Sequence, residues 1–122
     1  MTVIRSAVLE GSVDPEHREA FDLAMRGPVL QAIATYPELR QVVLRCPLEQ
    51  EDGAPPIHMV FDLHFDSLEA MHRALASPTR QAVRAELARV MKDFKGRVYH
   101  LVLDEAATVT PLNERRAEDR AR

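Results

Sequence analysis

The chain has 122 residues, of which 46% are hydrophobic and 29% charged, which allows one globular domain with a real core and excludes a second domain or wholesale disorder. Its 16 Lys plus Arg and 19 Asp plus Glu give a formal charge of −3 with the signs interspersed, so no basic face is available to nucleic acid. The lone Cys46 fits a reducing cytoplasm, and neither the N-terminus, with Arg5 and Glu10 inside its apolar run, nor any later stretch reads as a signal peptide or a membrane span of ~20 apolar residues.

Thr2 to Glu10 is rich in β-formers and ends at Gly11, after which Asp14-Pro15-Glu16 supplies an N-cap, a first-turn proline and a first-turn acid. A strand followed by a helix is expected. Phe21, Ala24, Met25, Val29, Ala32, Ile33 and Tyr36 then recur at three- and four-residue spacing, which gives the helix one apolar stripe. Because Pro28 has no backbone N–H, Gly27-Pro28 predicts a kink or break, with a second short helix running to Tyr36-Pro37. Leu39 to Cys46 reads as a strand. Pro47 to Pro56, with its prolines and Glu-Gln-Glu-Asp run, is the loop of a long hairpin.

Ile57 to Phe65 alternates cleanly: Ile57, Met59, Phe61, Leu63 and Phe65 fall on one face, His58, Val60, Asp62 and His64 on the other. Asp66 with Glu69 resembles a capping box, and Leu68, Met71 and Leu75 open a helix that Ser77-Pro78 restarts. Val83, Leu87, Val90, Met91 and Phe94 continue its buried stripe to a stop at Gly96, and Val98 to Asp104 is the last strand. The order βαββαβ predicts an α+β, ferredoxin-like domain over residues 1–104: a four-stranded antiparallel sheet carrying two kinked or broken helices on one face. Residues 105–122 read as a charged, mobile C-terminal tail, because Leu112 alone offers much to bury after Thr110.

Such a domain leaves one sheet face without helices, and the parity of the strands predicts its residues: His58, Val60, Asp62 and His64 on the third strand, Val98, His100 and Val102 on the fourth. The aromatic platforms of an RNA-binding sheet are absent. A regulatory amino-acid-binding module would normally accompany an enzyme domain, for which no length remains. A mixed apolar and polar face suits burial against a second copy, which predicts a homodimer with two sheets stacked face to face, a dimeric α+β barrel.

The run Phe61-Asp62-Leu63-His64-Phe65-Asp66-Ser67-Leu68-Glu69-Ala70-Met71, followed by Ala74-Leu75-Ala76-Ser77-Pro78, resembles the strand-helix signature of EthD-like proteins, a branch of the dimeric α+β barrel group. Arg26-Gly27-Pro28-Val29 and Tyr36-Pro37-Glu38-Leu39 are similar to that family's His-x-Pro-Leu helix segment and following Pro-Gly turn. Here Arg26 stands in place of the family's His, and Glu38 in place of Gly. The resemblance implies a small dimeric protein that binds an aromatic or cyclic compound in catabolism or polyketide tailoring, with cofactor-independent oxygenation, cyclisation or isomerisation as the activities to expect.

For acid-base chemistry the best local pair is Asp62 with His64, since a carboxylate fixes a histidine's tautomer and supports its imidazolium. His72, beside the buried helix stripe, is the third catalytic candidate. Arg26, Tyr36, His58 and His100 are the expected ligand-binding residues, with Arg26 aimed at an anionic group. The competing reading of the histidines is polar dimer contacts, and that of Arg26 a surface cation. His58 and His64 lie ~20 Å apart at about 3.3 Å per residue, and Asp62 with His64 supplies only two ligands, so no metal site is expected. No nucleotide loop or haem signature implies a cofactor. The alternative function is a non-catalytic ligand-binding or accessory module of a catabolic pathway.

Overall fold

The computed structural model describes residues 2–112 and runs β1 (Val3–Val13), α1 (Pro15–Ala24), a π turn (Met25–Val29), α2 (Leu30–Ile33), β2 (Gln41–Arg45), β3 (Ile57–Phe65), α3 (Leu68–Ala76), α4 (Thr79–Met91) and β4 (Phe94–Asp104). The strands form one antiparallel sheet in the order β2-β3-β1-β4, the ferredoxin-like arrangement. Of the predicted tail, residues 105–112 are exposed and 113–122 lie outside the described residues.

Pro28 does not break the first helix. The chain stays in right-handed helical geometry from Ala24 through Leu30, and one wide π turn accommodates the missing N–H. Phe21, Met25, Val29, Ile33 and Tyr36 are all buried, as their spacing requires. Asp14 makes no side-chain cap; its carboxylate instead accepts from Lys95 Nζ at 2.9 Å. At α3 the cap is Ser67, whose Oγ accepts from the Ala70 N–H at 3.1 Å, while Asp66 accepts from Arg40 Nε at 2.8 Å.

At one end the β1–β4 ladder runs past the expected bounds, as far as Val13 opposite Phe94. Gly11 and Gly96 face each other in register with φ of 150° and 149°. A Cβ on Gly11 would stand 2.1 Å from the Lys95 carbonyl oxygen, and one on Gly96 2.1 Å from that of Glu10. These glycines therefore permit a close backbone approach within the ladder instead of ending a strand and a helix.

The register corrects two face assignments. Arg5, Ala7 and Leu9 of β1 stand opposite Leu63, Phe61 and Met59 of β3, whose side chains enter the core. The same residues stand opposite Val102, His100 and Val98 of β4, so these three face the helices, and Tyr99, Leu101 and Leu103 face the open side. Apolar residues occupy both parities of β4, so alternation could not decide between them. His58 also leaves the open face. A register irregularity opposite Leu9 and Glu10 turns it toward α1, where its ring meets Phe21 edge-on with centroids 5.3 Å apart.

The core lies between the helices and β3 and β1. Helix α4 packs mainly on α2, α3 and the π turn, and a cavity lies between its Leu87 and Met91 and the Val98 and His100 of β4. Val98 and Val102 consequently remain 40% and 48% exposed on the side that helices should cover.

Candidate functional site

The gap under α4 is a cavity of about 330 Å³. Ala7, Leu9, Phe61 and Leu63 of the sheet form its floor, Leu87 and Met91 of α4 one wall, and Val98 and His100 of β4 the other. Ile33 and Tyr36 close the end toward α2. Small size at Ala7 is what leaves the floor open, because its neighbours along the inward stripe are the longer Arg5 and Leu9.

The polar groups of this mainly apolar cavity are Tyr36, His100 and three arginines, Arg5, Arg80 and Arg84. Burial chiefly, then the positive charges of Arg5 and Arg80, hold the His100 imidazole below its ordinary proton affinity. The Tyr36 phenol is pushed up by burial against the opposing pull of Arg80, Arg5 and Arg84. Arg5 is itself lowered, first by burial and then by Arg80. At neutral pH the cavity thus presents a neutral imidazole that can accept a proton, a protonated phenol that can donate a hydrogen bond, and permanent positive charge.

Of the residues expected at the site, Tyr36 and His100 line the cavity and the others do not. His58 Nε2 donates to Asp22 Oδ1 at 2.7 Å, a pair formed between β3 and α1 outside the cavity. Asp62 and His64 lie on the open face, where Asp62 accepts from Ser6 Oγ and is bridged by Arg45. His64 Nε2 is shielded from solvent with no hydrogen-bond partner among the described residues. His72 is exposed on α3, and Arg26 is exposed in the π turn. Among the described residues, no group of three or more His, Cys, Asp or Glu could hold a metal ion, and no helix is long and apolar enough to cross a membrane.

Sequence reasoning missed Arg5, Arg80 and Arg84, although a signal was present. Arg80 and Arg84 precede Leu87 and Met91 at helical spacing, so two cations occupy an inward stripe of α4. Arg5 likewise occupies an inward position between Val3 and Ala7.

No family model matches the chain, and no curated protein matches its sequence. Solved structures do match. An ethyl tert-butyl ether D (EthD) family protein from Bacillus halodurans is 19% identical, with 86% of this chain and 99% of that one covered at a TM-score of 0.69. A variant of SnoaB, described as a cofactor-independent oxygenase from Streptomyces nogalater, is 15% identical over 90% and 98% of the two chains, with a TM-score of 0.60. A dimeric ferredoxin-like protein of unknown function from Thermobifida fusca is 17% identical over 84% and 90%, with a TM-score of 0.58. At these identities the likeness is one of fold, and the fold is the ferredoxin-like α+β arrangement that these proteins share.

Proposed function

We propose that this protein is an EthD-like homodimer that binds a small, largely apolar aromatic or cyclic compound in the cavity under α4 and catalyses its cofactor-independent oxygenation, cyclisation or isomerisation. The observation that carries the reading is the cavity itself: about 330 Å³, apolar on most sides, with a few convergent polar groups, as small-molecule sites are. His100 and Tyr36 are the ligand-contacting groups. His100 takes a proton from an acidic C–H or O–H of the ligand, and the arginines stabilise the anion left behind. The reaction class is supported by likeness of fold to the protein described as a cofactor-independent oxygenase.

A second reading, a ligand-binding or accessory module without turnover, is favoured by one observation: among the described residues no carboxylate lines the cavity to orient His100. Asp62 and His64, on the open face, would then act at the contact between two copies. A panel of small aromatic and cyclic compounds separates these readings. Compounds that raise the melting temperature of the wild type and not of Ala7→Phe, whose new ring fills the floor, bind in the cavity. Conversion of such a compound, lost in His100→Gln while binding persists, supports the enzyme; binding without conversion supports the accessory module. A panel with no binder contradicts both.

A further inference from the structure

The arginines say more about the ligand than its apolar character does. Arg5 from β1 and Arg80 and Arg84 from α4 line the cavity, and among the described residues no Asp or Glu does. Elsewhere Arg40, Arg45, Arg73, Arg89, Lys95 and Arg97 each stand against a carboxylate. None of the three cavity arginines has such a partner among the described residues. Arg5 and Arg80 are part-buried and Arg84 is exposed, so gathering these like charges opposes folding chiefly at the first two, and among the described residues no carboxylate offsets it.

The charge is also ordered along the cavity. On β1 the inward sequence is Arg5, Ala7, Leu9; on α4 it is Arg80, Arg84, Leu87, Met91. Both walls therefore run from cationic to apolar. The two cationic ends share one cavity lining with Tyr36, whose proton affinity all three arginines pull down against the effect of burial. The two apolar ends coincide as well, because only Lys92 and Asp93 separate α4 from β4, whose Val98 stands opposite Leu9.

We infer that the cavity takes an amphipathic organic anion, an aromatic or cyclic compound with one acidic group held by Arg5, Arg80 and Arg84 and its ring among Leu87, Met91 and Val98. The guanidinium fork suits a carboxylate in two-point contact, and an enolate or phenolate oxygen in single contact. This inference rests on the reading of the cavity as the ligand site.

Calorimetry on the full chain at low salt, with 2-naphthoate, the isosteric 2-naphthamide and inorganic phosphate as probes, tests it. The naphthoate should bind at least about tenfold more tightly than either of the others, as expected for charge-assisted hydrogen bonds added to ring burial. Arg80→Gln combined with Arg84→Gln should bring naphthoate and naphthamide within about threefold of each other, while Arg18→Gln, which removes a cation from the outer surface of α1, should leave their ratio unchanged. Equal binding of naphthoate and naphthamide by the wild type, or a preference that survives the loss of Arg80 and Arg84, overturns the inference and leaves the cavity reading standing. Phosphate binding as tight as naphthoate overturns the amphipathic part. Binding of none of the probes overturns the inference and the cavity reading together.

Discussion

His100 lines the cavity while its surface stays largely open to solvent, and partial burial together with the charges of Arg5 and Arg80 lowers its proton affinity. Its proton affinity is lower in the folded protein than in the unfolded chain, so the unfolded chain holds more protons as pH falls through the ordinary histidine range near 6.5. Stability contributed by His100 is therefore fully present above that range and is lost as pH falls through it toward the folded value. The exposed carboxylates Asp14, Glu38 and Asp66, held low by hydrogen bonds from Lys95, Arg73 and Arg40, lose their contribution only at more acid pH. The melting temperature should accordingly decline between pH 7 and 5 in the wild type and decline less in His100→Gln. Equal slopes would show that His100 is not sheltered. The same residue marks a limit of sequence reading: its identity suggested a ligand contact, but the apolar residues on both sides of β4 concealed which way it faces.

Among the elements, β3 was the most legible, because Ile57, Met59, Phe61, Leu63 and Phe65 make one parity wholly apolar and its bounds follow from the prolines before it and Asp66 after it. The irregularity that turns His58 toward α1 breaks that alternation in space without leaving a mark in the residue pattern. Its consequence is measurable. His58→Ala or Asp22→Ala alone removes a part-buried hydrogen bond and should cost about 1–2 kcal/mol, and the double variant should cost less than the sum by about 0.5 kcal/mol or more. Strict additivity would mean that the pair is not formed. The Gly11–Gly96 crossing is the second feature hidden from local patterns, since a glycine near a strand end reads as a stop. Gly96→Ala should destabilise by at least about 2 kcal/mol in a denaturant titration, because its Cβ meets backbone and not a movable side chain. The cavity too is a matter of element packing: Arg80, Arg84, Leu87 and Met91 of α4 line it opposite Val98 and His100 of β4, a juxtaposition that no local pattern reveals.

At the scale of the whole molecule, the open sheet face displays Ile4, Val43, Val60, Tyr99, Leu101 and Leu103, with Leu101 and Leu103 each 45% exposed. An apolar face of this kind, with the shielded and unpartnered His64 Nε2 beside it, fits burial against a second copy. Light scattering at micromolar concentration should give about twice the chain mass of 13.8 kDa, and Leu101→Arg with Leu103→Arg should return a folded monomer. A monomeric wild type would contradict the barrel. The face is on the opposite side of the sheet from the cavity, so dimer contacts and ligand contacts should respond to different substitutions.

That separation makes methyl NMR the most direct test of the cavity as the ligand site. On titration with 2-naphthoate, the methyl resonances of Ile33, Leu75, Leu87 and Met91 should shift in a saturable manner, and those of Leu101 and Leu103 should stay in place. Saturable shifts confined to Leu101, Leu103 and Val43, with the cavity methyls unmoved, would contradict the account.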